Sequence, residues 1–502
     1  MAIKCLMAGL KTPCSTEMSS MLNFEIGKML WYYSKNTDLS RHYLTQAFNM
    51  MKDLGTAFED ARLKVVCLIA ELYLSQRMYE QIKALLKNEA HISMKYPFFH
   101  GKILFYLAEV YLKLNDFENA LQVVDCGIIY FRDLKEKVVE CYFRLAKSLL
   151  LATQMTNQHE LGISVTELGE VLTAVPANHP AVNDMRAYCY TIQLCYFLAT
   201  GMYSNYERVN KYYAIALKHV EDLRVTMRKP HWIIDRGHPE LLNTLEVLLY
   251  EGMAQTQLII CRPAEALNNI GLMIDKMRTY PELSNDFESQ AHTLIGLYAI
   301  YMRHPEDAEK QFQAALRCAK DTELWTMINL SLAIIYLFTR REQEFYELFQ
   351  RIAPNKLKTT AISLKSVAYF VHALHSYLHN RTSDCKTHLT DSINISKDED
   401  MARIQSMALL LLSKLLKDPD ILRAAYEWTS KSSDLSLMVW ANTQILNMHQ
   451  QMGQMEQASQ VKQSLEPSVQ GIENERQMAL QSPGHQLIKW IEGGAETIVL
   501  QG

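Results

Sequence analysis

The chain has 502 residues, 51 basic and 55 acidic side chains for a formal charge of −4, and only 18 glycines and 13 prolines. Gly and Pro at about half their usual shares, beside plentiful Leu, Ala, Met, Glu and Lys, favour an all-helical array. No run of alternating apolar and polar β-branched residues marks a sheet. No basic run exceeds Arg-Lys-Pro or Thr-Arg-Arg, which argues against a chain that binds nucleic acid strongly by itself. The ten cysteines contain no C-x-x-C pair, so they read as reduced thiols rather than zinc ligands or a disulfide framework.

In chain order, residues 1–15 (MAIKCLMAGLKTPCS) hold too short an apolar stretch for a secretory signal. The first strong segment is YYSKNTDLSRHYLTQAF at 32–48. LIAELYLSQRMYE (68–80) and YLAEVYLKLNDFE (106–118) then share an Ala-Glu-x-Tyr-Leu core and an aromatic-Glu end, and are two copies of one unit. Residues 155–245 resist phasing, and RKPHWIIDRGHPELL (228–242) reads only loosely. The small-residue pattern returns with Ala254 and Ala266, with Gly296, Ala308, Phe312 and Ala315, with Ala333 and Tyr336, and with Ala373. No apolar stretch reaches the roughly 18 residues of a membrane span, since even MALLLLSKLL is broken by Lys414.

Two helices per unit at a period in the thirties make an α-solenoid. The first helix presents a small residue (Ala70, Ala108, Gly296, Ala333) so that the second can approach, and the second answers with Ala120, Ala308 and Ala315. Tyr73, Tyr111, Phe312 and Leu86 fill the groove to the next unit, so that neighbours bury a continuous core. The spacing resembles the tetratricopeptide repeat (TPR). The expected fold is thus an all-α, TPR-like superhelix of antiparallel hairpins over 21–465. A segment at 1–20 precedes it, and an irregular tail at 466–502 follows with a short docked element at Leu487–Trp490.

A narrower resemblance rests on ordered blocks. These are the 32–48 segment, HTLIGLYAIYMRHPEDAEKQF (292–312), NLSLAIIYLFTRR (329–341), THLTDSINISKDEDMARIQSMALLLLSKL (387–415) and HQLIKWIEGG (485–494). Together they resemble the TPR subunit of the cohesin loading complex, the MAU chromatid cohesion factor family. That family usually carries an extra hairpin ahead of the YYSKN block, so the N-terminal end reads as shortened. The resemblance implies a non-enzymatic scaffold that wraps an extended N-terminal segment of the large Nipped-B-type loader. It further implies support of cohesin loading and sister-chromatid cohesion, contact with cohesin and chromatin through that partner, and a nuclear location with the cytoplasm second.

Catalytic motifs are absent: there is no P-loop, G-x-G-x-x-G, H-E-x-x-H or G-x-S-x-G. His372, His375 and His379 share a helical face and form the best candidate metal cluster, but no carboxylate or cysteine ligand accompanies them, and a polar helix face is the preferred reading. No cofactor is expected. A scaffold of another nuclear or cytosolic assembly remains open, because fold alone does not decide function. A co-chaperone adaptor is disfavoured, because Cys67, Glu71 and Glu109 occupy the places where a carboxylate clamp needs cations and Asn.

In a TPR hairpin the first helix lines the inner side. Counting from the small-residue anchors places Glu71 and Leu74, Glu109 and Leu112, Leu297 and Tyr301, and Ile334 and Phe338 there. An apolar strip punctuated by two acids suits a partner segment with hydrophobic anchors and Lys or Arg.

Overall fold

The computed structural model describes residues 2–34, 36–154, 158–177, 179, 182–199, 206–227, 238–357, 362–398, 401–430 and 434–491, and no strand occurs among them. The contacts divide the chain into one unit of residues 1–150 with 170–175 and another of 151–169 with 176–502.

The first unit begins with α1 (Ala2–Leu10) and α2 (Thr16–Met29), followed by a π-turn at Leu30–Ser34 and α3 (Thr37–Asp53). Next come α4 (Glu59–Ser75), α5 (Tyr79–Ser93), α6 (Pro97–Lys113), α7 (Phe117–Asp133) and the start of α8 (Lys137–Gln154). The expected boundary at Met21 therefore falls inside α2. Ser15 caps that helix by accepting from the Met18 amide at 3.2 Å, so the polar run before Met21 is a helix start. Each helix packs on the next, and α4 also touches α6, as stacked first helices must in a solenoid. Leu63, Val66, Ala70, Ile82, Leu86, Ile103, Ala108, Ala120 and Val124 form a continuous core.

After α9 (Gln158–Ala174), the second unit runs through α10 (Val182–Ala199), α11 (Tyr206–Met227), α12 (His238–Ile259), α13 (Pro263–Thr279), α14 (Ser284–Tyr301), α15 (Pro305–Cys318) and α16 (Thr322–Phe338). It continues with α17 (Glu342–Phe349), α18 (Ile362–Leu378), α19 (Thr382–Asp398), α20 (Ala402–Leu416), α21 (Pro419–Ser430), α22 (Leu435–Gln451) and α23 (Met455–Gln481). The same next-but-one packing joins α12 to α14, α16 to α18, α18 to α20 and α20 to α22. Residues 155–245 are hard to phase because α11 and α12 each run 22 residues, longer than the usual TPR helix. Most of the loosely read 228–242 stretch lies outside the described residues.

One turn closes almost every hairpin. Arg77, Asn115, Cys261, Arg303, Arg340, Asn380, Lys417 and Gly453 each take a positive φ between 53° and 73° just after a first helix. The following amide then donates back across five residues: Met78 N to Tyr73 O (3.0 Å), Asp116 N to Tyr111 O (2.9 Å), His304 N to Ala299 O (2.9 Å), Arg341 N to Tyr336 O (2.9 Å). This left-handed cap satisfies carbonyls that the helix end would otherwise orphan. Pro263 and Pro305 start the second helices where a missing N–H costs nothing.

The small residues work by close approach. A Cβ on Gly296 would sit 2.8 Å from Cε1 of Phe312, and one on Gly127 would sit 2.4 Å from Phe143. Phe312 and Phe143 are both fully buried, so neither ring has room to yield.

The C-terminal region differs from the irregular tail expected after Glu466. Pro467 reads as a stop, yet α23 carries it on an exposed side and continues to Gln481, held by buried Leu465 and Ala479. A 3-10 segment at Pro483–Lys489 then docks with Leu487, Ile488 and Trp490 buried. Gln311 Nε2 donates to the carbonyls of Ile488 (3.0 Å) and Trp490 (2.7 Å), its Oε1 accepts from His292 Nδ1 (2.7 Å), and the Trp490 ring stacks on His292. Residues 492–502 lie outside the described residues.

Two substitutions of opposite sign test these features. Gly296→Ala gains about 1 kcal/mol of helix propensity but forces overpacking worth about 1–3 kcal/mol. A lower urea midpoint is expected, restored by adding Phe312→Leu. Arg340→Gly relieves an exposed side chain held at a left-handed φ, and should raise the unfolding free energy by about 0.5–1 kcal/mol, seen as a higher urea midpoint.

Candidate partner-binding site

The first helices place the eight expected residues in two groups, one in each unit. In the first, Glu71 of α4 accepts from the Tyr106 hydroxyl of α6 at 2.8 Å and from the Tyr32 hydroxyl of the π-turn at 3.4 Å. Burial and the Glu71 charge push the Tyr32 phenol up to about 12 and raise that of Tyr106 further. Both tyrosines are therefore fixed donors at neutral pH. Burial also raises the neighbouring Cys67 thiol to about 11, so it is no ready nucleophile. Glu109 stands at the equivalent place on α6, exposed, with its carboxyl raised by partial burial and Lys113 opposing the shift. Leu74 and Leu112 are half-buried against the core rather than free in a groove. Around them the surface is aromatic: Tyr33 is 84% exposed, and Lys102 lies 5.3 Å from the centre of the exposed Phe98 ring.

In the second unit, Leu297 and Tyr301 come together along the wall of a recess of about 310 Å³. Its other residues include Glu251, Gln255, Leu258 and Ile259 of α12, Gln290 and Thr293 of α14, Leu324 and Met327 of α16, and Arg403 of α20. Ile334 is half-buried against the neighbouring core, and Phe338 is 72% exposed, but neither lines the recess. Glu251, Gln255 and Leu258 escaped the residue count, although Ala254 is itself a small-residue anchor. The same offsets applied there give Gln255, Leu258 and Ile259, all of which line the recess.

The histidine trio is not a polar helix face. His372 and His375 are buried and stack on Phe349 and Phe345 of α17, with centroids 4.2 and 4.7 Å apart, and only His379 is exposed. Arg381 Nη2 donates to His375 Nδ1 at 2.8 Å, which leaves that ring neutral with its proton on Nε2. Among the described residues, no group of His, Cys, Asp or Glu is arranged to hold a metal ion, and no helix is long and apolar enough to cross a membrane.

Residues 153–456, more than half of the chain, match the family described as Cohesin loading factor, and the chain belongs to that family. Over 98% of its length it is 24% identical to Maternal uncoordinated protein 2 of Caenorhabditis elegans, covering 93% of that protein. It is 21% identical to the MAU2 chromatid cohesion factor homologs of Aedes aegypti and Drosophila melanogaster, again over 98% of its length, covering 88% and 87% of theirs. Its fold is similar to that of Scc4, crystallised in complex with Scc2n, with a TM-score of 0.51 at 11% identity over 94% of this chain and 92% of that one. A Rap protein complexed with Competence and Sporulation Factor gives the same TM-score and identity over 79% of this chain and 99% of that one. These likenesses make the fold a TPR-like helical solenoid.

The histidine packing predicts a pH dependence. Burial, with His388 near His372 and with His379 and Arg381 near His375, lowers both rings from the ordinary 6.5 to about 4. The unfolded chain takes up protons below pH 6.5 that the folded chain refuses until about pH 4, so stability is full above 6.5 and falls through that window. Each ring contributes a slope of up to about 1.4 kcal/mol per pH unit. Urea unfolding at pH 7 and pH 5 should show the loss, and the His372→Phe/His375→Phe variant should show a smaller one.

Proposed function

We propose that the chain is a non-enzymatic scaffold subunit of a cohesin loading complex. It holds an extended N-terminal segment of a large Nipped-B-type loader and thereby supports cohesin loading and sister-chromatid cohesion. What supports the reading most directly is family membership together with the Scc4 likeness, since that protein was crystallised with Scc2n.

The physical case starts from the first helices. They offer half-buried leucines, an exposed aromatic set and acids that form no ion pair among the described residues, which suits an extended chain with apolar anchors and basic residues. A disordered segment that folds onto such a surface buries extensive area while its ordering entropy limits affinity per unit area. Work is then done by positioning. The scaffold stabilises its partner, acts in the nucleus, and reaches cohesin and chromatin through that partner. With a formal charge of −4 and no basic stripe, the chain alone contributes little to DNA affinity.

Affinity purification from dividing cells should recover the large loader subunit in near-equal amount, and its absence would sink the reading. Reversing both acids, Glu71→Lys with Glu109→Lys, should weaken capture of the partner's N-terminal segment by about tenfold or more, with helical content unchanged. Unchanged affinity in a titration of the folded double variant would place the contact elsewhere.

A further inference from the structure

The recess between α12, α14 and α16 has a chemical imbalance. Its walls are largely apolar, with Leu258, Leu297, Tyr301 and Met327 among them. Two of its acceptors are poorly served. Gln290 Oε1 is buried without any hydrogen-bond partner. Glu251 receives a long bond from Gln255 Nε2, 3.3 Å, and among the described residues it forms no ion pair. The cation that does line the recess, Arg403, is already committed: its Nε donates to Asp434 at 2.8 Å. On the same helix Glu246 is handled differently, with both Arg224 (2.6 Å) and Lys276 (2.5 Å) beside it. A carboxyl served by one long hydrogen bond and an amide oxygen served by none, beside an open apolar volume, cost stability unless something fills it.

We propose that this recess receives one cationic side chain, an arginine, from the partner's extended segment, with its aliphatic stem along Leu297 and Tyr301 and its guanidinium donating to Glu251 and Gln290. The inference rests on the scaffold reading above for its partner, and adds the place and chemistry of an anchor. Arginine fits because its planar fork of donors serves two acceptors at once while its stem covers apolar surface. Arg403, neutralised by Asp434, closes one side without repelling the incoming cation strongly. Gln255 on α12 and Gln290 on α14 are uncharged, and α16 contributes only Leu324 and Met327. Burial pushes the Glu251 carboxyl up to about 7, so near neutral pH part of the empty population is protonated and must ionise to receive the guanidinium. Binding near neutral pH is therefore coupled to proton release.

Two titrations of the full-length chain test this. The first uses n-butylguanidinium as the probe, with neutral n-butylurea as the control, followed by calorimetry at pH 6 and pH 8. The wild type should bind the guanidinium about tenfold more tightly at pH 8, where Glu251 is ionised, than at pH 6. Glu251→Gln should bind it at least about tenfold more weakly at pH 8 and lose the pH dependence. Equal affinity in the two proteins, or equal binding of the urea, overturns the proposal. In the second titration, the partner's N-terminal segment should lose about tenfold in affinity for Glu251→Gln and regain nothing when its basic residues are replaced by glutamine. If the segment binds both proteins alike, the recess is not its anchor point, although the scaffold reading stands. If the segment fails to bind the wild type while butylguanidinium binds as expected, the cohesin-loader reading fails and the cation site survives.

Discussion

The architecture depends on how tightly two helices can be folded against each other at the end of the first. Eight first helices end in a residue at positive φ, and the next amide donates back across five residues wherever the hairpin turns. This cap reverses the chain within two or three residues and settles the angle at which the second helix leaves. The second helix then arrives so close that only Gly or Ala fits opposite it, as Gly296 against Phe312 shows. Once the pair is that close, its outer apolar side has nowhere to go except against the next pair, and stacking of α4 on α6 or α16 on α18 follows. Turn geometry, small residues and stacking are one constraint met at three scales. The first unit meets it with Asn115 and Ala108 as the second does with Arg303 and Gly296.

Much of this is legible in the sequence because packing at the anchors tolerates few residue types. Ala70, Ala108, Gly296 and Ala333 can be found by eye, and each is buried in the structure. The turn residues cannot be found this way, because Arg, Lys, Asn and Cys fill a left-handed position where Gly would be the expected signal. Pro467 misleads in the other direction. A proline is a stop signal only when its lost hydrogen bond and ring cannot be accommodated, and on the exposed side of α23 they can. The histidines show a third limit. Spacing puts His372, His375 and His379 on one face, but spacing does not say whether that face meets solvent or the rings of α17. The inward residues were partly legible: Leu297 and Tyr301 line a recess, whereas Leu74, Leu112 and Ile334 spend much of their surface on neighbouring cores.

Two sets of carboxylates contrast, and the contrast carries the functional argument furthest. Glu89 is buried against Arg62, Glu140 lies between Lys137 and Arg144, Glu246 between Arg224 and Lys276, and Glu309 binds Arg341 and the Tyr336 hydroxyl. Glu89, Glu246 and Glu309 link neighbouring helices and Glu140 braces α8 from within, so each has a cation without a partner chain. Removing Arg62 would strand the buried Glu89 carboxylate, a loss typically of about 3–5 kcal/mol. Glu71, Glu109 and Glu251 lie at or beside the inward places of first helices, and none of them forms an ion pair among the described residues; two tyrosines serve the first, Lys113 opposes the burial shift of the second, and burial alone raises the third. A fold that gives its buried acids cations elsewhere leaves these three without an ion pair among the described residues. Solvent accounts for Glu109, which is exposed, but less well for Glu71 and Glu251, which are half-buried. Cations delivered by a bound segment would complete the same pairing rule that the chain applies to its own helices, and would make the segment's basic residues as much a part of the fold's electrostatics as Arg62 or Arg224.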